Sequence, residues 1–293
     1  MFYPDYLQPK SLKEIFNNLP KDKKIYYLAG GTDLLNYLRD GLIDPKNSCI
    51  VDLSQVKELI FINETNENIE IGPMISFNIL QENSLIKKHF PAITSLCKTF
   101  ATPIISSQAT VGGNIGNASP SGDSLPVFYT LNTKVEIQNV SQTRIEDIDK
   151  IFVGPKKTNF NNGDLITKII VPKPFLQEGF SIVGIFKKIG GRKAHIISKV
   201  SLAITAILKD VYVQNITVAV GAVAPTVLKI NKISEILNNQ KVTKKLINIC
   251  IDEIQKVISP IDDFRSTAKY RYEVIPLLFI EAMSELLKTN FYD

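Results

Sequence analysis

Leu28-Ala29-Gly30-Gly31-Thr32-Asp33-Leu34 and Ala109-Thr110-Val111-Gly112-Gly113-Asn114-Ile115-Gly116-Asn117 are the stretches on which the reading of this chain turns. Each sets a diglycine among apolar residues. With no Cβ in the way, a phosphate can come close to bare backbone N–H groups there. Two such turns, each flanked by small hydroxyl and amide side chains, predict a diphosphate gripped from two sides. That would hold a dinucleotide without a Rossmann turn.

The surrounding pattern supplies elements for both turns. Leu12, Ile15, Phe16 and Leu19 fall at helical spacing, with Ser11 as a cap and Glu14 three residues on. Ile25 to Leu28 reads as a short buried strand, and Leu34, Leu35 and Leu38 resume a helical period beyond the first diglycine. The N–H groups at the start of that helix point toward whatever fills the turn. A second unit begins at Ile50-Val51-Asp52-Leu53 and runs through a strand at Ile69 to Gly72 and helices around 76–82 and 91–99. Strands follow at Lys134 to Gln138 and Leu165 to Val171. Pro172-Lys173-Pro174 marks a boundary. Past it, Phe180 to Lys188, Ser201 to Leu208 and Val211 to Val220 read as antiparallel strands, the last two joined at Lys209-Asp210, and Ile230 to Leu287 reads as helices.

Composition limits the function classes. The chain has 293 residues, 44% apolar and 22% charged, with a net charge of +5 spread over scattered lysines. No basic block or arginine stripe marks a nucleic-acid surface. Cys49, Cys97 and Cys250 are odd in number and far apart, and no pair has metal-ligand spacing with His89 or His195. The chain is therefore expected to hold no iron–sulfur cluster and no metal of its own. It shows no apolar run long enough to cross a bilayer and no signal-like N-terminus, so a reduced, cytoplasmic protein is the expectation.

Individual residues around the turns carry competing readings. Thr32 adds a hydroxyl donor beside the first turn, while Asp33 would repel a phosphate and is left to cap the next helix or to accept from a sugar hydroxyl. In the second turn Ile115 is the apolar residue best placed to lie against a ring. Asp123, in Ser121-Gly122-Asp123-Ser124-Leu125-Pro126, either caps a helix with Pro126 in its first turn or holds a ribose. His89 reads as a surface residue. His195 lies in a loop with no nucleophile to pair with, and hydrolase chemistry has no signal.

These motifs resemble the FAD-binding medium subunit of the molybdenum hydroxylases, the xanthine dehydrogenase and carbon monoxide dehydrogenase group. AGGTDLL and ATVGGNIGNASPSGDSLP carry the resemblance, and it runs nearly end to end. Pro9 to Glu14, Val51-Asp52-Leu53, Ile71-Gly72-Pro73 and Gly154-Pro155-Lys156-Lys157-Thr158 also fit, as do Lys187 to Ala194, Val220 to Thr226 and Asp263 to Arg271. One departure is Ile105-Ser106-Ser107-Gln108, where many relatives carry Ile-Arg-Asn. The Cys-bearing insertion of the benzoyl-CoA-type reductase branch is missing.

The resemblance implies an α+β chain. An FAD-binding domain of vanillyl-alcohol-oxidase/PCMH type over 1–174, with subdomains about 1–54 and 55–174, would be followed by a C-terminal domain over 175–293 with a three-stranded antiparallel sheet and a helical bundle. It places FAD contacts on Tyr27, Leu28, Ala29, Gly30, Gly31, Thr32, Asp33 and Leu34, and on Thr110, Val111, Gly112, Gly113, Asn114, Ile115 and Asn117. Asp123, Ile166 near the flavin edge and Lys187 complete the set. It further implies a small partner subunit with two [2Fe-2S] clusters, a large one with a molybdopterin-type molybdenum cofactor, and electrons passing through FAD to NAD or another acceptor. The alternatives are a self-sufficient FAD-dependent oxidoreductase of the same fold and a flavin-free scaffold subunit.

Overall fold

The first fifty residues build a small parallel sheet whose loops face the rest of the molecule. The computed structural model describes residues 3–191, 197–209 and 212–292. β1 (Asp5–Leu7), α1 (Leu12–Asn18), β2 (Lys24–Leu28), α2 (Leu34–Arg39) and β3 (Ser48–Asp52) come first. The buried β3 runs between β1 and β2, parallel to both. Ser11 caps α1 as its spacing predicts: its Oγ accepts from the Glu14 N–H at 3.1 Å, and the Glu14 carboxylate accepts from the Lys10 N–H at 2.8 Å. Ile15 closes this subdomain's core over Cys49 and Val51.

The second subdomain is a five-stranded antiparallel sheet with helices inserted into it. β4 (Ile62–Glu64) and β5 (Asn68–Ile71) precede α3 (Phe77–Glu82), α4 (Ser84–His89), α5 (Pro91–Cys97), α6 (Pro103–Gln108), α7 (Val111–Asn117) and α8 (Ser124–Thr130). Then come β6 (Lys134–Gln138), β7 (Thr143–Asp147), α9 (Ile148–Ile151), the hairpin β8 (Phe152–Gly154) and β9 (Lys157–Thr158), and β10 (Leu165–Pro172). The sheet order is β4-β5-β10-β6-β7. Its apolar face packs under the helices around the fully buried Phe77, Phe90 and Phe128. Proline opens both α5 and α6, where its missing N–H costs no bond.

The C-terminal domain rests on three long antiparallel strands, β11 (Ser181–Ile189), β12 (Val200–Lys209) and β13 (Tyr212–Gly221). Two-residue strands β14 (Leu228–Lys229) and β15 (Gln240–Lys241) extend that sheet along β13, so it is broader than three strands. α10 (Asn231–Leu237), α11 (Lys244–Val257) and α12 (Ala268–Leu287) cover one face. The expected turn at Asp210, with Val211 at the start of its strand, lies outside the described residues.

Two stretches of the sequence resemblance meet in this domain. The buried Arg271 at the start of α12 donates to the Ala222 carbonyl at 2.9 Å and pairs with Asp263 at 2.6 Å. They therefore act as a lock between the last helix and the end of β13. The C-terminal sheet meets the second subdomain where β11 crosses α5: a Cβ on Gly184 would lie 2.6 Å from the Ala92 nitrogen, and the Phe186 N–H donates to Ser95 Oγ at 3.1 Å. Among the described residues no helix is long and apolar enough to cross a membrane.

Candidate functional site

The two glycine segments, distant in sequence, cross in space. A Cβ on Gly30 would lie 2.7 Å from the Gln108 carbonyl carbon and 3.2 Å from the Ala109 Cα, closer than ordinary packing permits. One on Gly113 would sit 3.7 Å from the Ala29 Cβ. Between them opens a cleft of about 370 Å³, within the range of small-molecule sites.

The first segment is a bare-backbone cradle. Gly31 has φ +71°, a conformation that glycine adopts without a Cβ clash. Among the described residues the N–H groups of Gly30, Gly31, Thr32 and Asp33 donate to no protein acceptor. Asp33 stands at the N-cap of α2, but its carboxylate makes no capping bond, so the capping reading fails.

The second segment differs from its expected form. Gly112 and Gly113 are not a turn but the first turn of α7. Their N–H groups are already used: Gly112 donates to the Pro73 carbonyl at 2.9 Å and Gly113 to the Thr110 hydroxyl at 3.1 Å. The glycines serve close packing instead, since a Cβ on Gly112 would meet the Pro73 carbonyl oxygen at 2.9 Å. This side therefore offers side chains. Asn114 Oδ1 accepts from the Ser124 hydroxyl at 2.6 Å, and Asn117 Oδ1 accepts from the Tyr37 hydroxyl at 3.0 Å. Each bond leaves an Nδ2 donor over.

Of the residues expected at the site, Tyr27, Ala29, Gly30, Gly31, Thr32, Asp33 and Leu34 line the cleft, with Thr110, Gly112, Gly113, Asn114, Asn117 and Ile166. Five do not. Leu28 packs behind the turn, its Cδ1 within 3.3 Å of a Cβ on Gly31. Val111 and Ile115 face the core and are fully buried, so Ile115 cannot lie against a ring in the cleft. Asp123 neither caps α8 nor lines the cleft: it is buried, with Lys188 Nζ at 2.5 Å and Ser198 Oγ at 2.6 Å. Burial pushes its pKa up against the pull of those two partners. Lys187 pairs instead with Glu281 at 2.7 Å and Glu285 at 2.6 Å on α12. Burial alone would lower its pKa, and the two carboxylates outweigh it and raise it. Successive residues of a strand point to opposite faces, so Lys188 turns inward where Lys187 turns out.

Sequence reasoning missed several lining residues. Pro73 and Met74 come from the connection after β5, Tyr37 from α2, Lys156 from the β8–β9 hairpin, and Phe160 and Asp164 from the loop before β10. Tyr37 was findable, one helical turn beyond Asp33. Asp164 is buried against Arg144 at 2.7 Å and Asn139 at 2.8 Å, and it accepts from the Asn161 N–H at 2.9 Å. Burial would raise its pKa, but these partners prevail and hold it below the usual carboxylate range. Tyr27, whose hydroxyl donates to the Gly163 carbonyl at 2.8 Å, has its pKa raised by burial. His89 is half-buried with Glu64 at 3.3 Å and does not line the cleft. His195 lies outside the described residues. No group of three or more His, Cys, Asp or Glu side chains that could hold a metal ion occurs among the described residues.

The arrangement suits an elongated anionic ligand. The lining carries unpaired N–H groups, amide donors and the apolar Met74, Leu165 and Ile166. Residues 2–174 match the family described as the FAD binding domain in molybdopterin dehydrogenase, and 185–286 match the CO dehydrogenase flavoprotein C-terminal domain. The glyceraldehyde dehydrogenase medium chain of Sulfolobus acidocaldarius is 26% identical over 288 residues, covering 98% of this chain and 100% of that one. The xanthine dehydrogenase FAD-binding subunit of Escherichia coli O157:H7 is 24% identical, over 97% of this chain and 96% of that one. The solved structure of reconstituted CO dehydrogenase from Oligotropha carboxidovorans superposes with a TM-score of 0.90 at 23% identity, covering 98% and 99% of the two chains. That last likeness is one of fold.

Proposed function

The chain belongs to the FAD-binding medium subunits of the molybdenum hydroxylase family, and from that premise we propose that it is the electron-transfer flavoprotein of a three-subunit complex. Its partners are a small subunit with two [2Fe-2S] clusters and a large subunit with a molybdopterin-type cofactor. When bound, the flavin supplies the redox step, taking electrons from the clusters and passing them to NAD or another acceptor.

The observation that carries this reading is the crossing of the two glycine segments over one cleft, with four consecutive N–H groups left without acceptors. A diphosphate is the group that satisfies such a row. Thr32 adds a hydroxyl, Asn114 and Asn117 offer amide donors, and the exposed Asp33 is free to accept from a sugar hydroxyl. Ile166, at the start of β10, lies against the uncharged end. We place the domain boundary at Pro172 to Pro174, between β10 and β11. Three cysteines without disulfides suit a reducing, cytoplasmic setting.

Purification from a host that supplies FAD tests the proposal. The expected result is a yellow protein absorbing near 450 nm that co-purifies with its two partner subunits. A colourless chain that takes up no FAD on titration refutes it. Substrate turnover by the isolated chain would instead favour a self-sufficient oxidoreductase.

A further inference from the structure

Among the described residues lining the cleft there is one cation, Lys156, and no arginine or histidine. It lies in the tight turn between β8 and β9 with φ +54°, and its N–H donates at 2.9 Å to the carbonyl of Ala118, which ends α7. The backbone at Lys156 is thus tied to the end of the helix that forms one wall. Its ammonium is held as well. Nζ donates to the Tyr37 hydroxyl at 2.8 Å and stands 4.8 Å from the centre of the Tyr37 ring, and that hydroxyl donates onward to Asn117. Three separate elements, α2, α7 and the hairpin, converge on one positive charge.

Among the described residues no carboxylate forms an ion pair with the Lys156 ammonium. It donates to the Tyr37 hydroxyl, and the cleft's own acids are otherwise disposed: Asp164 pairs with Arg144, and Asp33 stands on the first glycine segment. An ammonium fixed on the lining of a cleft that also carries four unpaired N–H groups is arranged for an anion.

We propose that Lys156, held in place by Tyr37 and Asn117, is the diphosphate-binding cation of this subunit and closes the side of the cleft that the second glycine segment leaves without free N–H groups. This rests on the reading of the cleft as the FAD site. It assigns Lys156 as a binding residue and Tyr37 as its positioning residue. The neutral backbone cradle holds one flank of the diphosphate and the ammonium the other. A ligand with the flavin ring but no phosphates gains nothing from Lys156.

The test is titration of the deflavinated full chain with FAD, ADP and riboflavin, for wild type, Lys156→Gln and Tyr37→Phe. Losing one charge-assisted hydrogen bond predicts about a tenfold weaker FAD and ADP affinity for K156Q. Riboflavin affinity and the thermal midpoint are expected to stay unchanged, because the side chain is exposed. Y37F, which keeps the ring but drops the hydroxyl, is expected to give a smaller loss in the same two ligands. The gap between wild type and K156Q should close between about 0.05 M and about 1 M salt as screening grows. K156Q binding FAD and ADP as tightly as wild type, or an equal loss for riboflavin, overturns the assignment. A wild-type chain that takes no FAD at all overturns the reading of the cleft itself, so the two failures are distinct.

Discussion

Gly30→Ala puts a single methyl where the two glycine segments cross. The built Cβ lies 2.7 Å from the Gln108 carbonyl carbon, with the carbonyl oxygen nearer still. Carbon atoms pack at about 3.5 Å or more, so the segments must part by at least about 0.8 Å. The obstacle is backbone on both sides and cannot rotate away, which puts the cost toward the upper end of about 1–3 kcal/mol for overpacking. In a chain of this size that lowers Tm by roughly 5 °C. The same displacement stretches hydrogen bonds made by the N–H groups of residues 30–33 from about 2.9 Å to beyond 3.5 Å, past the useful limit. Losing one bond to a charged group is worth about 1.5–3 kcal/mol, or roughly 10- to 100-fold in FAD affinity. Differential scanning fluorimetry and flavin fluorescence titration read the two effects. Gly41→Ala separates them: its φ of +70° makes alanine strained, yet nothing lies within 4 Å. It should cost about 1 kcal/mol and leave FAD affinity alone. Wild-type Tm and wild-type FAD affinity in G30A would refute the reasoning, because the crossing would then not be what shapes the cleft.

Asp123→Ala removes the buried carboxylate that pairs with Lys188 and accepts from Ser198, and should destabilise the chain by roughly 3 kcal/mol in urea unfolding; a loss under about 0.5 kcal/mol would show the pair to be inessential. Lys187→Ala removes contacts to Glu281 and Glu285 on the partly exposed face of β11, so stability should drop by no more than about 1 kcal/mol and FAD affinity should not change; a loss of FAD binding would restore Lys187 to the cleft. Arg144→Ala frees Asp164 and Glu146, both of which Arg144 helps hold at lowered pKa against burial. Their stabilisation is present above the ordinary carboxylate pKa near 4 and is lost as pH falls through the lower folded values. The variant should therefore acid-unfold at a higher pH than wild type, and an unchanged acid midpoint would refute the role of Arg144. Burial pushes the Cys97 and Cys250 thiols up to about 12 and raises Cys49. A maleimide at pH 8 should label none of the three cysteines in the folded chain and all three in guanidinium, and fast native labelling would contradict their burial.

The parts of this architecture set by local pattern were legible in the sequence. Ser11 with Glu14 and the alternation of Lys134 to Gln138 each carry their cause in a few neighbouring residues. The first diglycine was legible for the same reason, since strand, turn and helix follow directly. The second was misread because a Gly-Asn-rich stretch has weak helix propensity, and what makes it helical is non-local. Pro73, far back in the chain, accepts from Gly112, and Ile75 accepts from Val111. Core packing of Val111 and Ile115 does the rest. Lys187 and Lys188 could not be told apart without knowing which face of β11 turns inward. Lys156 stood in a stretch that fits the resemblance, but nothing in the sequence put it at the cleft, because its place depends on three elements meeting in space.

Those non-local contacts also explain how the C-terminal domain bears on the cleft although none of its described residues lines it. Lys188 on β11 and Ser198 before β12 together hold Asp123, the residue just ahead of α8. The next residue, Ser124, is fully buried and donates its hydroxyl to Asn114 Oδ1 at 2.6 Å. In that bond the Asn114 oxygen turns to α8, and the Nδ2 donor is the end left for the cleft. A flipped amide would leave the Ser124 hydroxyl accepting from the NH₂ and would put a lone-pair oxygen toward an anionic ligand, so an anion in the cleft favours the orientation observed. A polar chain that begins in the C-terminal sheet thus reaches Asn114 through Asp123 and Ser124. The first glycine segment needs no such help, because backbone N–H groups cannot be reversed. The cleft therefore combines a wall whose polarity is intrinsic to the main chain with one of side-chain amides, and Asn114 on that wall is bonded to the start of α8, which the second domain anchors through Asp123.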